Sequence, residues 1–194
     1  MNKRCVALTD EQYQRCVELL RNGFVLSSGV VRGNDKIATI VVLQGALGLR
    51  VGDILRLTLE NFVKDGGRYK LDIVEQKTEK HRNFSVPVQV YSFVQDYAIQ
   101  NGISSKARLF DISERQVQRH LNKVFEKMGL SLEHYGSHSF RKYFATKVYL
   151  DNDCNIELVR VLLQHSSVAI SQRYIGISEK AVEEALAKTV AHLV

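Results

Sequence analysis

Ser137-His138-Ser139-Phe140-Arg141, then Leu163-Gln164-His165-Ser166-Ser167, then Gln172-Arg173-Tyr174 put two imidazoles, a guanidinium and a phenol in the last third of a 194-residue chain. Ser137 or Gly136 reads as the N-cap of a helix over Ser139–Leu150, so His138 and Arg141 share one face three residues apart. The N–H groups and positive dipole end of such a helix suit a phosphate. Upstream, Arg50 in Gly48-Leu49-Arg50-Val51-Gly52-Asp53 and Lys77 in Gln76-Lys77-Thr78-Glu79-Lys80 add two more cations. Every member of this set can bind, protonate or attack a phosphodiester, with no metal and no cofactor required. A tyrosine phenol titrates near pH ~10 and needs a neighbour to take its proton or favour the phenolate. Paired arginines grip phosphate oxygens at two points and neutralise the charge that collects on them in the transition state. A lysine at a hairpin tip suits protonation of the leaving alkoxide.

Taken singly, these residues have plain structural readings. Tyr174 before Ile175 reads as a half-buried packing residue and either histidine as a satisfied polar group near a core. Arg50 reads as a helix-end cap, and Lys77 with Lys80, His81 and Arg82 as a solvated turn. Their joint order is what independent structural roles leave unexplained. In that order and spacing the chain, from about Leu8 to about Ile177, resembles the catalytic domain of the tyrosine recombinases, the phage integrase family. Gly48-Leu49-Arg50 resembles the first arginine motif, with Asp53 at the acidic position three residues on, and Lys77 the hairpin lysine. His138 and Arg141 match the histidine-x-x-arginine motif, His165 the third-motif histidine, and Tyr174 the nucleophile nine residues later. One departure is Gln164, where the family usually has glycine; a side chain there is placed to crowd a phosphate or bond to it.

The resemblance implies a mostly α-helical domain with a small antiparallel sheet, acting as a DNA strand-transferase through a 3′-phosphotyrosyl intermediate. It implies Arg50, Arg141 and His165 as phosphate ligands, His138 as acid/base and positioner of Tyr174, and Lys77 as general acid. Implied partners are double-stranded DNA with inverted-repeat sites and further copies of the chain in a tetramer on DNA; a need for DNA-bending accessory proteins stays open. Relaxation of DNA in the manner of a type IB topoisomerase and non-catalytic DNA-binding regulation are the alternatives. Family members generally carry an additional N-terminal helical domain, and none is legible here. The chain is therefore expected to resemble the short fimbrial phase-switch invertases or to be a fragment of a longer integrase.

Bulk properties agree with this. The chain length suits one domain with one core, and 27 Lys and Arg against 21 Asp and Glu is a modest basic bias compatible with a polyanion. Cys5, Cys16 and Cys154 have neither metal-site nor disulfide spacing, and their odd number points to a reducing cytoplasm. His134 and His138 have zinc-like spacing, but Gly136-Ser137 interrupts a helix between them and no third ligand is evident. No stretch approaches the roughly 20 apolar residues of a membrane span, and no signal peptide is legible, so a soluble cytoplasmic protein is expected.

Helical periodicity dominates the chain. A capping box at Thr9–Gln12 opens a helix to about Arg21, and Gly23–Gly33 reads as a loop. Asn34 caps a buried helix through Ala46, ended by Gly48, which places Arg50 in a tight connection to a helix over Val51–Leu57. Lys64-Asp65-Gly66-Gly67 reads as a turn between two strands, the second at Tyr69–Val74, and Lys77–Arg82 as a second, charged turn before a third strand at Phe84–Val88. Helices follow at Val88–Gln100, Ser113–Met128, Ser139–Leu150, Ile156–Leu163 and Ser178–Leu193. The last carries an apolar stripe that packs on its own domain or docks on a neighbouring protomer. The chain reads as one domain over 1–194.

Overall fold

A computed structural model describes residues 5–176 and, beyond them, Glu183, Leu186 and Ala187. The expected helix over Ser178–Leu193, and with it the question of where the tail docks, lies largely outside the described residues. The architecture is mostly helical with two small antiparallel sheets. The centre is a helix, Asp35–Leu47 (α2), with Ile37, Ala38, Ile40, Val41, Leu43 and Leu47 all buried, so it is apolar nearly all round. Asn34 caps it by accepting the Ile37 N–H at 3.1 Å, and Gly48 ends it in the left-handed region at φ 61°. Helix Asp10–Asn22 (α1) begins at the expected Thr9–Gln12 capping box and packs on α2, as does helix Ser137–Asp151 (α6). Helices Val88–Gln100 (α4), Glu114–Lys127 (α5) and Ile156–Leu163 (α7) stand where periodicity places them, α5 behind a Ser113–Gln116 capping box.

The main sheet is a meander of strands Phe62–Asp65 (β3), Arg68–Val74 (β4) and His81–Val86 (β5). Gly66 and Gly67, at φ 52° and 84°, make the two-residue turn between β3 and β4. β5 starts earlier than the sequence suggests. Arg82 pairs with Ile73 and points inward with Phe84 and Val86, so the charged turn is shorter and Arg82 is part of the interior. Three other elements differ from expectation. Gly23–Gly33 contains a hairpin of strands Phe24–Leu26 (β1) and Gly29–Val31 (β2), each too short to show a period-two pattern. The helix after Arg50 is only Val51–Ile54 (α3) before a 3₁₀ turn at Leu59–Asn61. A short helix, Val168–Gln172 (α8), precedes Tyr174.

Candidate active site

The six sequence-singled residues converge on one face. Arg50, Lys77, His138 and Tyr174 line a cleft of about 520 Å³, together with Gln44, Asp53, Gln76, Glu114 and Ser137. Each arrives from a different element, and local rules explain how. The left-handed turn at Gly48 delivers Arg50 as the N-cap of α3. Lys77 is exposed in the loop between β4 and β5, which is closed by a Glu75 N–H to Lys80 carbonyl bond of 3.0 Å. His138 and Arg141 lie on the first turn of α6. The Ser137 N–H at that helix start is already taken by Gln118 Oε1 at 3.0 Å, so the N-terminus offers less to an anion than its sequence suggests. His165 follows the end of α7, and Tyr174 follows α8 with its amide bonded to the Ser171 carbonyl at 2.9 Å.

The aromatic rings are gathered tightly. The Tyr174 ring centroid is 4.5 Å from that of His165 and 5.1 Å from that of His138, and the Arg141 guanidinium carbon is 5.9 Å from it. Tyr174 also packs at the edge of a small apolar cluster built from Phe144, Ala145, Val159 and Leu163. Thr146 holds the segment to α6, accepting the Gly176 N–H at 3.0 Å. The tyrosine is thereby seated on its own α6.

Burial and cations depress both imidazoles. His138 is pushed down to about 4, first by burial and then by Arg141, Lys142, Arg50 and Lys77. His165 is likewise pushed down to about 4 by burial, Arg141 and Arg50, against an opposing contribution from Glu75. Both are therefore neutral near pH 7 and able to accept a proton. His165 Nδ1 lies 3.0 Å from Ser171 Oγ, and Nε2 is buried without a partner. With the Ser171 hydroxyl donating to Nδ1, Nε2 carries the proton and is a donor left without an acceptor.

Behind these residues lies a buried ionic network that sequence reasoning missed. Glu75, only 1% exposed, accepts from Arg50 Nη1 at 2.6 Å, Thr78 Oγ1 at 2.7 Å and Arg82 Nη1 at 3.3 Å. Burial alone would raise its carboxyl pKa, but the bonds from Thr78 and Arg50 and the charges of Arg50 and Arg82 outweigh it, and the carboxyl is held below its ordinary range. Asp53 accepts the Gln76 N–H at 2.8 Å and thereby ties α3 to the Lys77 loop. Arg141 is fully buried and donates to the Gly48 carbonyl and, at 3.2 Å, to that of Leu163, while its Nε finds no partner. Alternation along β5 was the available signal for Arg82, since it shares a face with Phe84 and Val86. Glu75 and Ser171 carried none. Gln164, at φ 54°, donates its amide N–H to the His81 carbonyl at 2.9 Å and is not among the residues that line the cleft.

The domain is helical with a three-stranded meander, and its cleft gathers Tyr174, His138, Arg50 and Lys77 from separate elements, with His165 and Arg141 beside the tyrosine ring. Residues 7–181 match the phage integrase family, and the chain belongs to that family, with the fold of a tyrosine recombinase catalytic domain. Among relatives, the probable integrase/recombinase YoeC of Bacillus subtilis is 32% identical over 142 residues, covering 71% of this chain and 75% of that protein. Tyrosine recombinase XerA of Pyrococcus furiosus is 24% identical across 93% of this chain and 60% of its own length. Among solved structures, XerH in a post-cleavage complex with a palindromic difH substrate superposes with a TM-score of 0.72 at 20% identity, covering 96% of this chain and 53% of that one. The catalytic domain of bacteriophage HP1 integrase gives 0.63 at 18% identity, with 94% of each chain covered. The chain thus spans between about half and three quarters of the relatives' full length. Among the described residues no helix is long and apolar enough to cross a membrane, and no group of three His, Cys, Asp or Glu could hold a metal.

Proposed function

We propose that this chain is the strand-transfer domain of a site-specific DNA recombinase that cuts and rejoins DNA through a 3′-phosphotyrosyl intermediate. The observation that carries this reading is a pair of buried, unpartnered donors beside the Tyr174 ring, Arg141 Nε and His165 Nε2, in a cleft also lined by Arg50 and Lys77. Buried donors without acceptors are costly, and a phosphate oxygen satisfies both. Related structures hold DNA, as XerH does on difH and lambda integrase on a COC′ core site, which supports DNA as the partner.

Tyr174 Oη attacks the scissile phosphorus; the bond to the 5′-oxygen breaks as the phosphotyrosyl bond forms. The phenolic proton passes to neutral His138, and Lys77 supplies the proton for the leaving 5′-oxygen. Arg50, Arg141 and His165 bind the non-bridging oxygens, whose charge grows in the transition state. One phosphodiester is exchanged for another, so a 5′-hydroxyl of a partner strand can reverse the step without ATP. Inverted-repeat sites, a tetramer on DNA and, where the site needs bending, accessory proteins complete the proposal.

The test is incubation with nicked suicide duplexes carrying a site selected by this protein from a random pool. The parent protein should accumulate a covalent DNA adduct; Tyr174→Phe should keep its DNA affinity and form none. Adduct formation by Tyr174→Phe would overturn the mechanism.

A further inference from the structure

Two buried arginines brace the same two helix ends. Arg141 reaches the carbonyls of Gly48 and Leu163, and Arg82 those of Leu47 at 3.0 Å and Leu162 at 2.6 Å. The last carbonyls of a helix lack intrahelical partners, so each guanidinium satisfies one from α2 and one from α7. Arg141 belongs to the proposed chemistry. Arg82 does not, yet it is 1% exposed, stacked 4.7 Å from the Phe84 ring and paired with Glu75, the carboxylate that holds Arg50.

One residue before Arg82, the His81 carbonyl accepts from Gln164 Nε2 at 2.9 Å. The first two residues of β5 and the turn that ends α7 are therefore clasped in both directions: Arg82 reaches into the turn, and Gln164 reaches back from it. Gln164 does so from φ 54° and ψ 38°, a conformation that glycine adopts at no steric cost and glutamine does not. The clasp bears on Lys77 because the lysine loop ends where β5 begins. At its near end the loop is tied by Glu75 and by the Gln76 N–H bond to Asp53; at its far end Lys80 is bonded back to Glu75 across the loop, and the chain then enters β5.

We propose that Gln164 and Arg82 are positioning residues for the hairpin lysine: their clasp between β5 and the His165 turn presets the Lys77 loop over the cleft. The catalytic part rests on the strand-transfer reading above. A general acid works only within hydrogen-bond reach of the atom it protonates, and a displacement of about 1 Å costs on the order of 10²-fold. Loosening the clasp at Gln164, with the Arg82–Glu75–Arg50 chain intact, therefore weakens leaving-group protonation in particular and leaves phosphate binding and the attack by Tyr174 in place.

The experiment compares the parent chain with Gln164→Gly, which removes the bond and the backbone strain together, and Gln164→Met, which keeps the length and the strain without the donor. Suicide duplexes carry either the ordinary 5′-bridging oxygen or sulfur, which leaves as a thiolate without protonation. Both variants should cleave the oxygen substrate roughly tenfold more slowly, a part of the roughly 10²–10⁴-fold that a positioned acid supplies. They should match the parent on sulfur and show faster amide exchange at residues 76–79. Equal slowing on both substrates, unchanged rates, or unchanged exchange in the loop overturns the proposal. If the parent itself forms no adduct on either substrate, the strand-transfer reading fails and takes the catalytic role with it. The exchange comparison then separately decides whether the clasp holds the loop.

Discussion

His138 and His165 carry the clearest residue-scale consequence. Each is neutral in the folded chain down to about pH 4, whereas an unfolded histidine takes up its proton near pH ~6.5. Between these values the unfolded state binds more protons, so the stabilising contribution is complete above about 6.5 and is lost as pH falls toward 4. The slope from each imidazole is at most about 1.4 kcal/mol per pH unit. The melting temperature of the parent protein should fall across this window, and the double variant His138→Asn/His165→Asn should show a flatter profile. Identical profiles for the two proteins would refute the assignment. A phosphate in the cleft offsets the cations that depress the imidazoles, so bound DNA works against this loss.

At the scale of elements, the junction between α2 and α3 sets the position of Arg50, and Gly48 is its pivot. Its φ of 61° lies in the left-handed region, and a Cβ built there would run into the Phe144 ring of α6. The same glycine carbonyl accepts from Arg141. Gly48→Ala therefore combines a backbone penalty of about 1 kcal/mol with overpacking of about 1–3 kcal/mol against a buried ring. We expect a loss of about 2–4 kcal/mol in urea unfolding and weaker cleavage, since Phe144 also belongs to the cluster under Tyr174. A loss below about 1 kcal/mol would mean that α6 moves aside readily. The glycine was legible as a helix stop; that α6 packs directly over it was not, because the contact spans about a hundred residues of sequence.

For the whole molecule, the formal charge is +6, and the candidate cleft is lined by Arg50 and Lys77, with the Arg141 guanidinium beside the Tyr174 ring. Contacts with a nucleic-acid backbone release counterions, so affinity for duplex DNA should fall steeply with salt, with a log–log slope of about −0.9 per neutralised phosphate. Titrations of a fluorescent duplex at several salt concentrations measure it. A slope near zero would argue against backbone contacts and hence against DNA as the main partner. The family and the helical fold follow from features spread along the whole chain, which explains why relatives with identities of only 18–24% still superpose or align across most of it.

Sequence alone determined what local rules encode. The caps at Thr9, Asn34 and Ser113, the stop at Gly48, the apolar periods of α2, α4, α5 and α7, and the ordered motif residues Arg50, Lys77, His138, Arg141, His165 and Tyr174 were all legible as a pattern. Each depends on neighbours within a turn or two, or on residue identity. Tertiary structure decided how those residues are held. Glu75 lies 25 positions from Arg50, Arg82 lies 35 from Leu47 and 80 from Leu162, and Gln164 lies 83 from His81. A charged residue becomes interior only when distant elements close over it and supply partners for most of its polar atoms. No window of sequence reports that closure. It is why Arg82 reads as part of a solvated turn and stands instead between two helix ends.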